Sequence, residues 1–183
     1  NAPANSADYG NGIALDGSGN VYITGREYRS DLGQNGNILV RKYDTNGLLI
    51  WTTSYNSPTN AWDEGTDIKV DNSGNVYVTG WAPFNDIWVR KYDTNGLVQW
   101  TTTHAPASWD GASGIAVDNS GNVYVAGHID GPSENIWVRK YDANNGLTVW
   151  TTTYNSPANG IDYGEDIVAD SSGNVCVVGM ETR

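Results

Sequence analysis

The sequence has little of what a redox, metal-thiolate or nucleic-acid-binding protein needs. A single cysteine, Cys176, stands among 183 residues, which excludes an intramolecular disulfide and any cysteine-based metal site. Basic side chains are scarce, 10 against 21 acidic ones, and the formal charge is −11. A phosphate backbone would be repelled unless the basic residues were gathered on one face. They are not: six of the ten lie in three Arg-Lys pairs, Arg41-Lys42, Arg90-Lys91 and Arg139-Lys140, so nucleic acid is not an expected partner. No apolar run approaches the roughly 20 residues of a membrane helix, and no charged-then-apolar leader opens the chain. The expectation is a soluble domain without membrane insertion. A start at Asn1 rather than Met points to something removed upstream. The two histidines, His104 and His128, lie far apart with no triad signature around either, and neither a Gly-rich phosphate loop, a nucleophile elbow nor an Asn-x-Ser/Thr acceptor occurs. Nothing in the sequence argues positively for catalysis.

What is present is aromatic and turn-rich. Eight Trp, eleven Tyr and 22 Gly, against one Met and one Phe, describe strands and tight turns in one all-β domain. The residues then repeat. Ile13-Ala-Leu-Asp16 with Gly19-Asn-Val-Tyr-Ile-Thr-Gly25 recurs over 68–80, 115–127 and 167–179. A second half, Ile38 to Asp44 with Gly47 to Trp51, recurs over 87–100 and 136–150 and has no fourth copy. Each repeat therefore holds four short strands, A to D. Asp-x-Ser-Gly-Asn turns join A to B and Asp-x-Asn-Gly turns join C to D, because Asp and Asn brace a bend through the backbone and Gly takes the positive φ. The Gly-Asn anchors at 19, 74, 121 and 173 are 55, 47 and 52 residues apart, a length that suits one blade of a β-propeller. The repeats run 1–55, 56–104, 105–154 and 155–183, the last incomplete. The expected fold is an all-β propeller of four-stranded antiparallel blades, three and a half in number, in one domain. Propellers close with about four to eight blades. The missing remainder is expected either from a longer chain or from further copies around a shared axis, and the phase mismatch between the first and last residues favours the former.

The Asp-x-Ser-Gly-Asn-Val-Tyr-Val-x-Gly core resembles the SBBP repeat, the bacterial seven-bladed β-propeller repeat of secreted and cell-surface proteins, and is similar to the NHL repeat. The resemblance implies the fold and an extracellular or cell-surface location, and little about activity. Asp93-Thr-Asn-Gly96 followed by Trp100 also looks like the tryptophan-docking motif of quinoprotein propellers, which implies that Trp51, Trp100 and Trp150 wedge between blades. Cys176 occupies the strand position of Tyr22, Tyr77 and Tyr124 and is expected in the core.

An up-and-down blade places A–B and C–D turns on one face and B–C and D–A loops on the other. The turn face hardly varies between repeats, whereas the B–C loops, 26–36, 81–86 and 128–134, are unrelated to one another. Specificity on a shared scaffold belongs in such loops. The candidate ligand-binding residues are therefore Tyr9, Arg26, Tyr28, Arg29, Trp62, Trp81, Phe84, Trp109, His128 and Tyr163. Trp and Tyr make platforms for sugar rings and anchors for protein contacts, while Trp62 and Trp109 can equally plug the space between blades. Asp8, Asp63, Asp110 and Asp162 each precede the strand-A Ile by five residues. Read one way they form a calcium ring or pairwise calcium sites; read another, each caps its loop or pairs with a neighbouring Arg-Lys. The Arg-Lys pairs themselves are expected in inter-blade ion pairs. The leading functional expectation is a non-catalytic secreted or surface module recognising protein or carbohydrate, with no resident cofactor. The alternatives are part of a propeller enzyme, such as a lyase, hydrolase or quinoprotein, and a structural subunit of a surface assembly.

Overall fold

A computed structural model describes residues 7–83, 86–104 and 110–182. Three four-stranded antiparallel meanders follow one another. The first comprises β1 (Tyr9–Leu15), β2 (Val21–Tyr28), β3 (Gly36–Tyr43) and β4 (Leu49–Tyr55), and the second β5 (Glu64–Val70), β6 (Val76–Ala82), β7 (Asp86–Tyr92) and β8 (Val98–His104). The third comprises β9 (Gly111–Val117), β10 (Val123–Ile129), β11 (Asn135–Tyr141) and β12 (Thr148–Tyr154); β13 (Asp162–Ala169) and β14 (Val175–Glu181) make a two-stranded half-blade. The first strands of successive blades touch, β1 against β5, β5 against β9 and β9 against β13. They line the axis, and the fourth strands form the rim of an open propeller arc.

The turns follow from their side chains. In the A–B turn of the first blade, Asp16 accepts hydrogen bonds from the Ser18 and Asn20 backbone N–H, the Asn20 side-chain amide and the Tyr22 hydroxyl, at 2.7 to 3.0 Å. Burial pushes this carboxyl up, yet the donors outweigh it and hold its pKa down at about 2. The same four donors converge on Asp71 and on Asp118. Gly19, Gly74, Gly121 and Gly173 all take φ of 80° to 82°, open to glycine at little cost.

The blades stack through apolar faces of opposite hand. Tyr22, Ile38 and Val40 of the first blade pack on Ile68, Val76 and Val78 of the second, and Tyr77, Ile87 and Val89 of the second pack on Ile115, Val123 and Val125 of the third. Trp51 and Trp100 reach across each seam. Their indole N–H groups donate to the carbonyls of Thr94 and Ala143 at 3.1 and 3.2 Å, and their rings lie over Gly96 and Gly146, where a Cβ would not fit. The docking role expected for Trp51 and Trp100 is what the structure shows; Trp150 lies beside Tyr124 of its own blade, ring centres 6.1 Å apart.

Two expectations change. Cys176 is exposed, not in the core. Its equivalents Tyr22, Tyr77 and Tyr124 face the following blade and are fully buried, whereas among the described residues nothing packs on that face of β14. The mirror case is Ile13, which is 69% exposed where Ile68 and Ile115 are fully buried against the blade before them. Among the described residues, the Arg-Lys pairs also make no ion pairs with Asp. Arg90 and Arg139 donate through Nε to Thr101 and Thr151 at 2.7 Å, Lys91 donates to the Ala143 carbonyl at 2.9 Å, and Lys42, Lys91 and Lys140 sit about 5 Å over the rings of Tyr22, Tyr77 and Tyr124. The physical reason is that turn aspartates such as Asp71 and Asp118 are already saturated by their own loops.

Candidate functional site

Every first strand carries a bulge at one place. Partners jump from Gly10 to Gly12, from Gly65 to Asp67, from Ala112 to Gly114 and from Gly164 to Asp166, which leaves Asn11, Thr66, Ser113 and Glu165 unpaired. Opposite each bulge stands the last Gly of the repeat core, Gly25, Gly80, Gly127 or Gly179. A Cβ on any of them would come within 1.9 to 2.1 Å of a carbonyl oxygen of the first strand, so this glycine is required by close backbone approach. The bulged side chains tie blade to blade: Asn11 donates to the Gly65 carbonyl at 2.9 Å, and Thr66 donates to the Ala112 carbonyl at 2.8 Å.

The B–C and D–A loops do share one face, since Asp63 N–H donates to Gly36 O at 2.8 Å and Asp162 N–H donates to Glu134 O at 2.9 Å. The aspartates expected as calcium ligands fasten these loops. Asp63 and Asp162 accept from the backbone N–H of Ser57 and Ser156 at 2.6 Å each, and Asp110 accepts from Asp130 N–H at 2.8 Å. All three are fully buried, whereas Asp8 is half-buried. Burial raises the Asp63 carboxyl to about 6, against the lowering effect of the Ser57 donors. Among the described residues, no three His, Cys, Asp or Glu side chains converge as a metal site.

The remaining candidates fall into two inter-blade clefts. In the first, the Arg26 guanidinium lies 4.5, 5.2 and 4.3 Å from the ring centres of Tyr9, Tyr28 and Trp62 and pairs with Glu64 of the second blade. Tyr28 meets Trp62 edge-on at 5.5 Å, and Asn11 fixes the Glu64 carboxylate from behind at 2.6 Å. This is a complete cation cage, occupied by the chain's own arginine. Arg29 stands apart in a short 3-10 turn, Ser30–Leu32, and pairs with Asp31 at 3.0 Å. Phe84 and Trp109 lie outside the described residues.

The second site is a cavity of about 340 Å³ bounded by Thr66 and Trp81 of the second blade, residues 110–113, His128 and Glu134 of the third, and Tyr163 of the half-blade. Trp81, His128 and Tyr163 were legible as candidates; Thr66, Gly111, Ser113 and Glu134 were not. His128 and Tyr163 meet edge-on with ring centres 4.6 Å apart. Hydrogen bonding toward Glu134, then burial, raises the Tyr163 hydroxyl pKa. Glu134 Oε2 is buried and has no hydrogen-bond partner.

The repeat explains the hollow. The residue after the core Gly is Arg26, Trp81 or His128, and it faces the residue that opens the next blade's first strand, Glu64, Gly111 or Tyr163. Arg26 meets Glu64 and His128 meets Tyr163. Trp81 and Gly111 line the cavity together, and the His128 ring lies where a Gly111 side chain would stand, its nearest atom 2.5 Å from the place of a Cβ.

The fold and its loop-face cavity define an open β-propeller arc with a recessed aromatic and acidic pocket among the described residues. The family model of the SBBP β-propeller repeat matches the chain at two places, residues 4–26 and 110–132. The resemblance read from the turn and strand core is thereby shown. Among solved structures, the chain is similar to a gluconolactonase from Xanthomonas campestris, at 13% identity over 94% of this chain and 70% of that one, with a TM-score of 0.48. It is also similar to the tail fiber of Staphylococcus aureus phage P68, at 11% identity over 88% of this chain and 44% of that one, with a TM-score of 0.36. No curated protein matches the sequence.

Proposed function

We propose that this chain is a non-catalytic recognition module that binds a protein or glycan through its B–C and D–A loop face. The observation that carries this reading is the cavity over Gly111. It joins aromatic walls to a buried carboxylate and sits on the face where the repeats diverge, at the small end of the size range of ligand pockets. On the opposite face, among the described residues, a smaller polar dent of about 120 Å³ lies between two repeated turns, residues 71–73 and 118–121. The secreted and surface setting of the repeats that the chain resembles supports an extracellular placement.

The test is selection against a displayed peptide library and a glycan array, with Trp81→Ala and Tyr163→Ala in the pocket and Asn119→Ala on the turn face, each checked for an unchanged melting profile. Selected ligands are expected to bind both pocket variants about tenfold more weakly, the scale of losing one aromatic anchor, and the Asn119 variant as well as the parent. Ligands indifferent to both pocket changes, or lost only with Asn119→Ala, would overturn the reading.

A further inference from the structure

We propose that the cavity over Gly111 is an arginine receptor: it takes the guanidinium of an arginine side chain presented by a partner polypeptide. The proposal rests on the recognition reading above and names its ligand. The neighbouring cleft supplies the precedent inside this molecule. There a guanidinium is held by three aromatic rings, Tyr9, Tyr28 and Trp62, and by the Glu64 carboxylate. The cavity is lined by rings and carboxylates from other positions of the repeat, Trp81, His128 and Tyr163 with Asp110 and Glu134. Trp81 stands where the first blade has Arg26, so the cavity holds no arginine of the chain's own.

Three further observations agree in sign. No Lys or Arg lines the cavity. Glu134 is positioned, since its carbonyl accepts from Asp162 N–H at 2.9 Å and its carboxylate, through hydrogen bonding and charge, is what raises the Tyr163 hydroxyl in the same wall. The buried Asp110 in the wall also faces Asp86, whose carboxyl is raised by burial and by the Asp110 charge, so the electrostatic field at this seam is negative. A flat guanidinium suits the site better than an ammonium: it stacks on ring faces while presenting paired N–H donors to a carboxylate in its plane. A volume of about 340 Å³ suits one side chain rather than a long segment.

The experiment titrates the protein with a blocked Gly-Arg-Gly peptide, its citrulline counterpart, its lysine counterpart and glucose, reading NMR shifts of the Trp81 indole N–H. The arginine peptide is expected to saturate and to bind about tenfold more tightly than the citrulline peptide, which keeps the planar shape but replaces one amino donor by a carbonyl and drops the charge. Glu134→Gln, an isosteric change, is expected to remove most of that preference, and the lysine peptide to bind more weakly than arginine. Equal binding of arginine and citrulline, indifference to Glu134→Gln, or no saturation with arginine overturns the proposal. Preferential glucose binding does so as well while leaving the recognition reading intact. Ligand selections that ignore Trp81→Ala sink the recognition reading instead.

Discussion

The sharpest test of the loop-face electrostatics is the pH dependence of Asp63. This carboxylate is fully buried, accepts one hydrogen bond of 2.6 Å from Ser57 N–H, and leaves its Oδ1 without a partner. Burial raises its pKa from an ordinary 3.8 to about 6. A group whose folded pKa lies above its unfolded one contributes stability that is fully present below the unfolded value and is lost as pH rises through the folded value. The window is therefore about pH 4 to 7. At about 1.4 kcal/mol per unit the shift corresponds to at most about 3 kcal/mol, and relaxation around a single carboxylate reduces the expectation to about 2 kcal/mol. The perturbation is Asp63→Asn, which keeps the acceptor for Ser57 and cannot titrate. Urea unfolding of both proteins, followed by tryptophan fluorescence, gives the stability difference at each pH. The parent is expected to lose about 2 kcal/mol relative to the variant between about pH 4 and pH 7, half of it by about pH 5 and nearly all of it by the folded pKa of about 6. The substitution also carries a constant offset, which does not enter the slope. Asp16, Asp118 and Asp170, all held below the ordinary carboxylate range, contribute in the opposite sense, losing stability at lower pH, and cancel between the two proteins. Two stability curves that run parallel through this window would refute the burial argument.

The repeated turns and glycines give two further contrasts. Asp118→Ala strands four donors, one of them the buried Tyr124 hydroxyl, and should cost about 3 kcal/mol in urea unfolding, while Asp170→Ala, whose three donors are exposed, should cost about 1 kcal/mol; equal losses would contradict the role given to Tyr124. Gly80→Ala places a Cβ 2.1 Å from the Glu64 carbonyl oxygen and should lower stability by about 3 kcal/mol, whereas Gly17→Ala meets nothing within 4 Å and should be near neutral in thermal melts.

The parts of the fold legible in sequence were those written by local chemistry and repeated. The Asp-x-Ser-Gly-Asn turns, the four strands of each blade and the docked Trp51 and Trp100 all depend on residues whose partners recur at the same offset in the next repeat. The Arg-Lys pairs were misread because a charge count does not show that a turn aspartate such as Asp71 already has four donors. Cys176 was misplaced because the burial of its equivalents comes from the next blade, not from their own strand. The bulges at Asn11, Thr66 and Ser113 were missed because a period-2 pattern does not mark an extra residue until the opposing strand is in register. For the site, rings announce themselves, so Trp81, His128 and Tyr163 were found. Glu134 looked like one more acidic residue in an acidic chain.

Gly111 shows how a repeat scaffold can vary a seam without altering its backbone. At each seam the loop face must fill the gap between a residue on the second strand and the residue opening the next first strand. Arg26 with Glu64 fills it by charge, and His128 with Tyr163 fills it by ring contact. Both solutions leave the underlying bulge and core glycine unchanged, because Gly25, Gly80 and Gly127 see only backbone. Glycine at the third such position lets the His128 ring of the same blade lie where a side chain would stand, and that ring and Trp81 become walls of one cavity without a strand moving. The stability of the blades, carried by the seams beneath and the turns on the far face, is largely independent of what occupies that void. A pocket made this way has walls fixed by the fold and contents free to differ, and those are the two properties that recognition of an outside ligand requires.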